Sequence, residues 1–169
     1  MTSGVEINEC ENPVNQACTI ARARPADAPA LTHIAHTSKR HWGYPERWIE
    51  LWRDALTITP EYISAEPVFA ARVNGEPCGF YGLLHKPDEL WLEHLWVLPA
   101  HMGRGIGGAL VAHAKETAFA QGASLLKIES DPNAEDFYLR RGAERIGQRI
   151  SEIEGHQRVL PLLMLHVRL

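Results

Sequence analysis

The stretch HMGRGIGGAL, residues 101–110, packs Gly103, Gly105, Gly107 and Gly108 around Arg104 and then runs into a helical pattern. Glycine at a helix start costs conformational entropy, so its use in this density calls for a close approach to the backbone or for unusual backbone angles. Amides at the positive end of a helix attract anions, and a phosphate-bearing ligand is the natural occupant. Two kinds of phosphate site fit the glycines, and the flanking chain has to decide between them.

Upstream, ELWLEHLWV (residues 89–97) alternates as a strand, with Trp91, Glu93 and Leu95 on one face and Leu92, His94 and Trp96 on the other. Before it, PVFAARV and PCGFYGLLH read as strands joined by Asn74-Gly75, a two-residue hairpin signal, and Pro87-Asp88 turns the second into the third. These three form an antiparallel meander. ACTIARA, residues 17–23, is an earlier strand. PADAPALTHIAHTS and YPERWIELWRDAL are helices with Pro25 and Pro45 in their first turns, and TPEYI is a helical turn capped by Thr59.

Downstream, Ile106, Leu110, Ala114 and Ala118 recur at helical spacing, and Gly122 ends the helix. SLLKIES is then a strand too distant from its predecessor for a hairpin, so the strand–helix–strand unit predicts a parallel pair. NAEDFYLRRG is a short helix closed by Gly142. ERIGQRISEI and HQRVLPLLMLHV are strands across Glu154-Gly155. The order predicts an α/β fold: a mixed, mostly antiparallel seven-stranded sheet with one parallel pair and about four helices.

Gly103, Gly105 and Gly108 fit the dinucleotide fingerprint G-x-G-x-x-G, and Glu129 ends a strand about twenty residues later, where that fingerprint wants an acid. Context argues against it. Pro99 to Met102 separate strand from glycines, and the hairpin-linked strands before them are unlike a doubly wound sheet. A P-loop is excluded, because no Gly-Lys-Ser/Thr occurs.

The order and the motifs resemble the GNAT superfamily of acyl-CoA-dependent N-acyltransferases over roughly Thr19 to Leu169. The resemblance is densest in LWLEHLWVLPAHMGRGIGGALVAHAKETA and SDPNAEDFYLRRGA. The family loop is Arg/Gln-x-x-Gly-x-Gly/Ala, and Met102, Gly105 and Gly107 stand at its positions. Met102 departs from the usual residue, and Arg104 supplies charge beside it. The resemblance implies a single domain over 18–169, after an N-terminal extension of residues 1–17. It implies acetyl-CoA as cosubstrate, with no metal. Leu95, Val97, Met102, Gly103, Arg104, Gly105, Ile106, Gly107, Gly108, Asn133 and Tyr138 would contact it. Acetyl would pass to a primary amine by direct attack in a ternary complex. Glu93 is the candidate base or ammonium anchor, Tyr138 the acid for the leaving thiolate, and the backbone near Val97 the oxyanion donor. His94 is a fallback base that alternation sends to the opposite face.

Trp42 and Tyr44 flank Gly43 in a loop and, with Trp91 and Glu93, are the expected acceptor contacts; Trp48 and Trp52 read as packing. The alternatives are a non-catalytic acyl-CoA sensor or a dinucleotide-binding oxidoreductase. Hydrophobic residues at 45%, charged residues at 22% and a net charge of -4 describe an ordinary globular chain and disfavour a nucleic-acid partner. No signal peptide or membrane-length apolar run is read, and Cys10, Cys18 and Cys78 lack metal spacing, so a reduced cytoplasmic enzyme is expected. Its partner would be a small-molecule amine, and a homodimer is allowed.

Overall fold

The computed structural model describes residues 8–10 and 17–168. The expected extension, residues 1–17, lies largely outside the described residues; of its length, Asn8–Cys10 forms β1, antiparallel to β2 (Cys18–Arg22). The chain continues through α1 (Ala28–His41), α2 (Glu46–Leu51), α3 (Pro60–Ala65), β3 (Val68–Val73), β4 (Glu76–Lys86), β5 (Glu89–Val97), α4 (Ile106–Ala120), β6 (Leu125–Glu129), α5 (Glu135–Leu139), β7 (Glu144–Ile153) and β8 (His156–His166). The hydrogen-bonded strand order is β1-β2-β3-β4-β5-β6-β8-β7. This is the mixed α/β sheet expected, with β1 added at its edge. Its parallel pair is β5 with β6, at Trp91↔Lys127.

The chain forms two compact units, Met1–Gly82 with His94–His113 and Leu83–Glu93 with Ala114–Leu169; β4, β5 and α4 contribute residues to both. In the first unit, Leu31, Ile34 and Ala35 of α1, Ile49 of α2 and Ile63 of α3 bury completely against Val68, Ala70 and Phe80. The turn residues do as their types demand. Asn74 (φ 53°) and Gly75 (φ 80°) both take left-handed backbone in the β3–β4 hairpin. Thr59 caps α3 by accepting from the Tyr62 amide at 3.1 Å. The helix expected over residues 44–56 is shorter than its apolar spacing suggests. It ends at Leu51, and the chain turns through Trp52, whose carbonyl accepts from the Leu56 amide at 2.9 Å.

Packing also demands glycine on β4. A Cβ on Gly79 of β4 would stand 2.9 Å from the Trp96 carbonyl oxygen, closer than such atoms approach. In the second unit, Leu126 and Ile128 of β6 and Leu163 and Leu165 of β8 are buried side by side across an antiparallel register of Leu126↔Leu165 and Ile128↔Leu163. The cysteines depart from expectation: Cys18 is disulfide-bonded, whereas Cys78 is free and buried. An odd count of three pointed to reduced thiols, because a count carries no information about which cysteines meet in space.

Candidate functional site

The first unit carries the glycine loop. A single 3-10 turn, Pro99–His101, follows β5, and Gly103 (φ 74°) and Gly105 (φ 81°) then bend the chain into α4. Both lie in the left-handed region, where a side chain costs about 1–2 kcal/mol. Open space surrounds both glycines, with no atom within 4 Å of a Cβ built on either. The glycines therefore set the backbone's direction as well as leaving room. Ala109 donates the first intrahelical bond, to Gly105 O at 3.0 Å, so the Ile106, Gly107 and Gly108 amides lie in the turn whose N–H groups have no partner within the helix. Ile106, Leu110, Ala114 and Ala118 are all buried, as their spacing predicted, which pins the helix. Met102 and Arg104 are half-buried, and Arg104 has no ion pair among the described residues.

The same unit holds β5's end and the aromatic segment after α1. The Leu98 amide donates to Cys78 O at 2.8 Å, and Ser38 Oγ of α1 donates to Val97 O at 2.8 Å, fixing the chain just before Pro99. His94 is half-buried; the Trp96 indole N–H donates to its Nδ1 at 3.1 Å, and Tyr62 and Phe80 lie beside its ring. Burial pulls its pKa down to about 4, so it is neutral and its Nε2 carries the proton. This is a structural histidine on the face opposite Glu93.

Trp42 and Tyr44, expected to act together, are placed differently. Trp42 is 38% exposed and meets the His41 ring, edge on, at 5.4 Å. Tyr44 instead joins Trp48 and Trp52, stacked on the first at 6.1 Å and edge-on to the second at 5.0 Å. Lys39 Nζ, on a buried side chain, sits 4.8 Å from the Tyr44 ring and 4.5 Å from the Trp52 ring. Trp52→Ala removes a wall of this cluster and is expected to cost about 3 kcal/mol, read as a lower Tm. Trp42→Ala is expected to leave stability within about 1 kcal/mol of wild type and to raise the acceptor KM.

The second unit carries Glu93. Leu90 and Leu92 of β5 are buried, and Trp91 and Glu93 point the other way, as the alternation predicted. Glu93 is exposed, and among the described residues its carboxylate accepts no hydrogen bond. Desolvation by the surrounding protein raises its pKa above the usual carboxylate value; Lys86 draws it down and Glu129 pushes it up. Glu129, at the end of β6, is close enough for its charge to act on Glu93; β6 pairs with β5 in parallel at Trp91↔Lys127. Glu129 is held by a two-pronged pair with Arg149, at 2.6 and 2.8 Å, which keeps it ionised. Trp91 is braced by its indole N–H donating to Glu89 Oε2 at 2.8 Å, with Lys127 ion-paired to the same carboxylate. Lys86 Nζ lies 4.0 Å from the Trp91 ring centroid.

Tyr138, on α5, is buried, with 6% of its surface exposed, and its hydroxyl has no hydrogen-bond partner among the described residues. Burial pushes the phenol's pKa well up, so it keeps its proton throughout the neutral range. Asn133 lies in the 3-10 turn Pro132–Ala134; its amide and its side-chain N–H both donate to Asp131 Oδ1, at 2.9 and 3.0 Å. Asp131, and not Asn133, is thus the cap of that turn.

A model of the acetyltransferase (GNAT) family matches residues 29–143. The chain belongs to that family. The fold of this GNAT chain is shared by a GCN5-related N-acetyltransferase from Rhodopseudomonas palustris, 22% identical over 98% of each chain with a TM-score of 0.70. It is similar to the PaiA N-acetyltransferase of Thermoplasma acidophilum in complex with coenzyme A, 18% identical over 88% of this chain and 98% of that one, TM-score 0.70. The same holds for YncA, a putative acetyltransferase of Salmonella typhimurium with acetyl-CoA: 19% identical over 89% and 94%, TM-score 0.66. No curated protein sequence matches the GNAT chain.

Sequence reasoning about this acetyltransferase missed two neighbours of Glu93. Lys86 was legible in principle, because the Pro87-Asp88 turn folds it back beside β5. Glu129 was singled out only as the acid of the dinucleotide fingerprint; its bond to Arg149 accounts for it without a ribose. Among the described residues, no group of His, Cys, Asp and Glu could hold a metal ion, and no helix is long and apolar enough to cross a membrane.

Proposed function

We propose that the protein is an N-acetyltransferase that moves acetyl from acetyl-CoA to a primary amine of a small molecule, by direct attack in a ternary complex. The observation that carries this reading is Glu93: a carboxylate that accepts no hydrogen bond among the described residues, its pKa raised by desolvation, beside an aromatic ring on the same strand face. A carboxylate so placed attracts an ammonium group and is a better base than an ordinary one. The family membership and the coenzyme A-bound relatives support the donor.

Each group on the chain has a part in the reading. The Ile106, Gly107 and Gly108 amides bind the pyrophosphate oxygens, with Arg104 adding charge, and Met102, Gly103 and Gly105 shape the turn. Leu95 and Val97 run along the pantetheine arm, and an N–H near Val97 donates to the oxyanion. Glu93 takes the proton of the amine, directly or through water; Trp91 and Trp42 offer ring faces to the cation, and Tyr44 positions the segment through its cluster. Tyr138 gives its proton to the thiolate as the carbon–sulfur bond breaks; Asn133 contributes its amide oxygen to the pantetheine. A small-molecule amine is the only partner this requires; a cytoplasmic location remains the proposal, and it has to accommodate the disulfide at Cys18.

The test is an acceptor screen read as free thiol, with acetyl-CoA and longer acyl-CoAs in parallel. Thiol release that depends on an added amine is expected. Tight acyl-CoA binding with no release for any amine would instead support the sensor reading. Tyr138→Phe is expected to lower kcat by about 10²-fold with an unchanged Kd for coenzyme A, because the ring's packing stays and only the proton is lost. A Tyr138→Phe enzyme with wild-type kcat would remove the acid from the mechanism.

A further inference from the structure

We propose that the acceptor is an amine that also carries a carboxylate, an amino acid or a close analogue of one: its ammonium goes to Glu93 and its carboxylate to Lys86. The proposal rests on the acetyltransferase reading and deepens it, naming the class of acceptor and the residue that selects it.

The face that carries Glu93 can be followed across the second unit by register. Glu89, Trp91 and Glu93 alternate onto it from β5. Opposed residues in a sheet point to the same side. Trp91↔Lys127 therefore brings Lys127 and Glu129 of β6 onto the same face. Lys127↔Met164 and Glu129↔Leu162 extend it to β8, where Arg158 and His166 follow by alternation. Arg149↔Leu160 and Glu144↔Met164 extend it to β7.

Most of the charge on this face is matched within the protein. Lys127 is ion-paired to Glu89. Arg149 grips Glu129 through two bonds, at 2.6 and 2.8 Å. Arg158 lies 3.5 Å from Asp131, and the His166 ring 3.9 Å from Glu144. Glu93 and Lys86 are left over, and they are opposite in sign. Among the described residues Glu93 accepts no hydrogen bond and Lys86 makes no ion pair.

Lys86 is the last residue of β4, and the turn through Pro87 and Asp88 sets it beside the start of β5. Its Nζ stands 4.0 Å from the Trp91 ring centroid, and Trp91 lies two residues before Glu93 on the shared face. The Lys86 charge acts on Glu93, yet the two close no ion pair. The ring thus holds a cation short of the carboxylate, with the carboxylate open to solvent. Lys86 is itself exposed, and its four-carbon stem lets the ammonium leave the ring to meet an anion.

These two charges discriminate among amines. A plain alkylammonium satisfies Glu93 and leaves Lys86 unmatched. A second ammonium on the acceptor meets the field of Lys86 and is repelled, which disfavours polyamines and aminoglycosides. A zwitterion satisfies both charges at once, and its carboxylate adds a charge-assisted hydrogen bond from the Lys86 ammonium.

The experiment compares acceptors in pairs that differ only by the carboxylate: phenylalanine with 2-phenylethylamine, leucine with isoamylamine, and γ-aminobutyrate with propylamine. Thiol release from acetyl-CoA gives kcat/KM for each, and the readout is the ratio within a pair. In at least one pair the amino acid is expected to lead by about tenfold. Lys86→Gln should lower that ratio about tenfold, Lys86→Arg should keep it, and Lys86→Glu should invert it in favour of the plain amine. The change between variants cancels the amines' own basicity and any effect of Lys86 on Glu93, because both members of a pair share them. A thermal melt of each variant reports folding. Equal or better turnover of the plain amine in every pair, or a ratio that Lys86→Gln leaves unmoved, overturns the proposal and leaves the acetyltransferase reading standing. No thiol release with any amine overturns both.

Discussion

Replacing Glu93 by glutamine is expected to lower turnover by about 10²–10⁴-fold, the range for loss of the general base proposed here. Glutamine has the same shape, so the strand face and the ring of Trp91 stay in place and the loss reports the carboxylate. The effect depends on pH with a definite sign. A base works deprotonated, and desolvation raises the Glu93 pKa above the usual carboxylate value. Activity is therefore present above that raised pKa and falls as pH drops through it, so the acidic limb of kcat/KM lies higher than for an ordinary glutamate. Lys86 lowers the pKa of Glu93, hence Lys86→Gln moves the limb upward. In Glu93→Gln the limb disappears, and what activity remains rises with pH only as the free amine deprotonates. A pH–rate series on the two variants checks both statements. Wild-type turnover in Glu93→Gln across that range would leave the site working by proximity alone.

Gly105→Val is expected to weaken acetyl-CoA binding by about 10²-fold or more, because the proposed pyrophosphate recognition by several N–H groups at once is lost when they no longer converge. Gly105 holds φ at 81°, where a β-branched residue is strained, and relief of that strain swings the following amides away from a common point. Gly107→Val acts by a different route, filling space at the helix start, and is expected to give a smaller fall in affinity with little change in Tm. Calorimetric titration of acetyl-CoA into each variant, beside a thermal melt, separates binding from folding. A folded Gly105→Val protein with wild-type affinity would place the phosphates elsewhere.

Much of the architecture follows from local patterning. The β5 alternation put Trp91 and Glu93 on one face and His94 on the other. The spacing of Ile106, Leu110, Ala114 and Ala118 marked the buried stripe of α4, and Asn74-Gly75, Gly122, Gly142 and Glu154-Gly155 marked turns whose left-handed angles the structure bears out. These signals are legible because periodicity and glycine's backbone freedom are properties of a few consecutive residues. The family too was legible, since its loop and its strand order are both local.

What only the tertiary structure decided is the set of contacts between residues far apart in sequence. The influence of Glu129 on Glu93 depends on the parallel pairing of β5 with β6, which no hairpin fixes. The bond from Arg149 to Glu129 bridges 20 residues. Tyr44 keeps company with Lys39, Trp48 and Trp52 rather than with Trp42, a set of contacts made in space and not by adjacency in sequence. The charge states went the same way. Burial sets His94 near 4 and keeps Tyr138 protonated, and desolvation by neighbouring protein, with Glu129 beside it, raises the exposed Glu93; all three are properties of the assembled neighbours, not of the residue or its spacing.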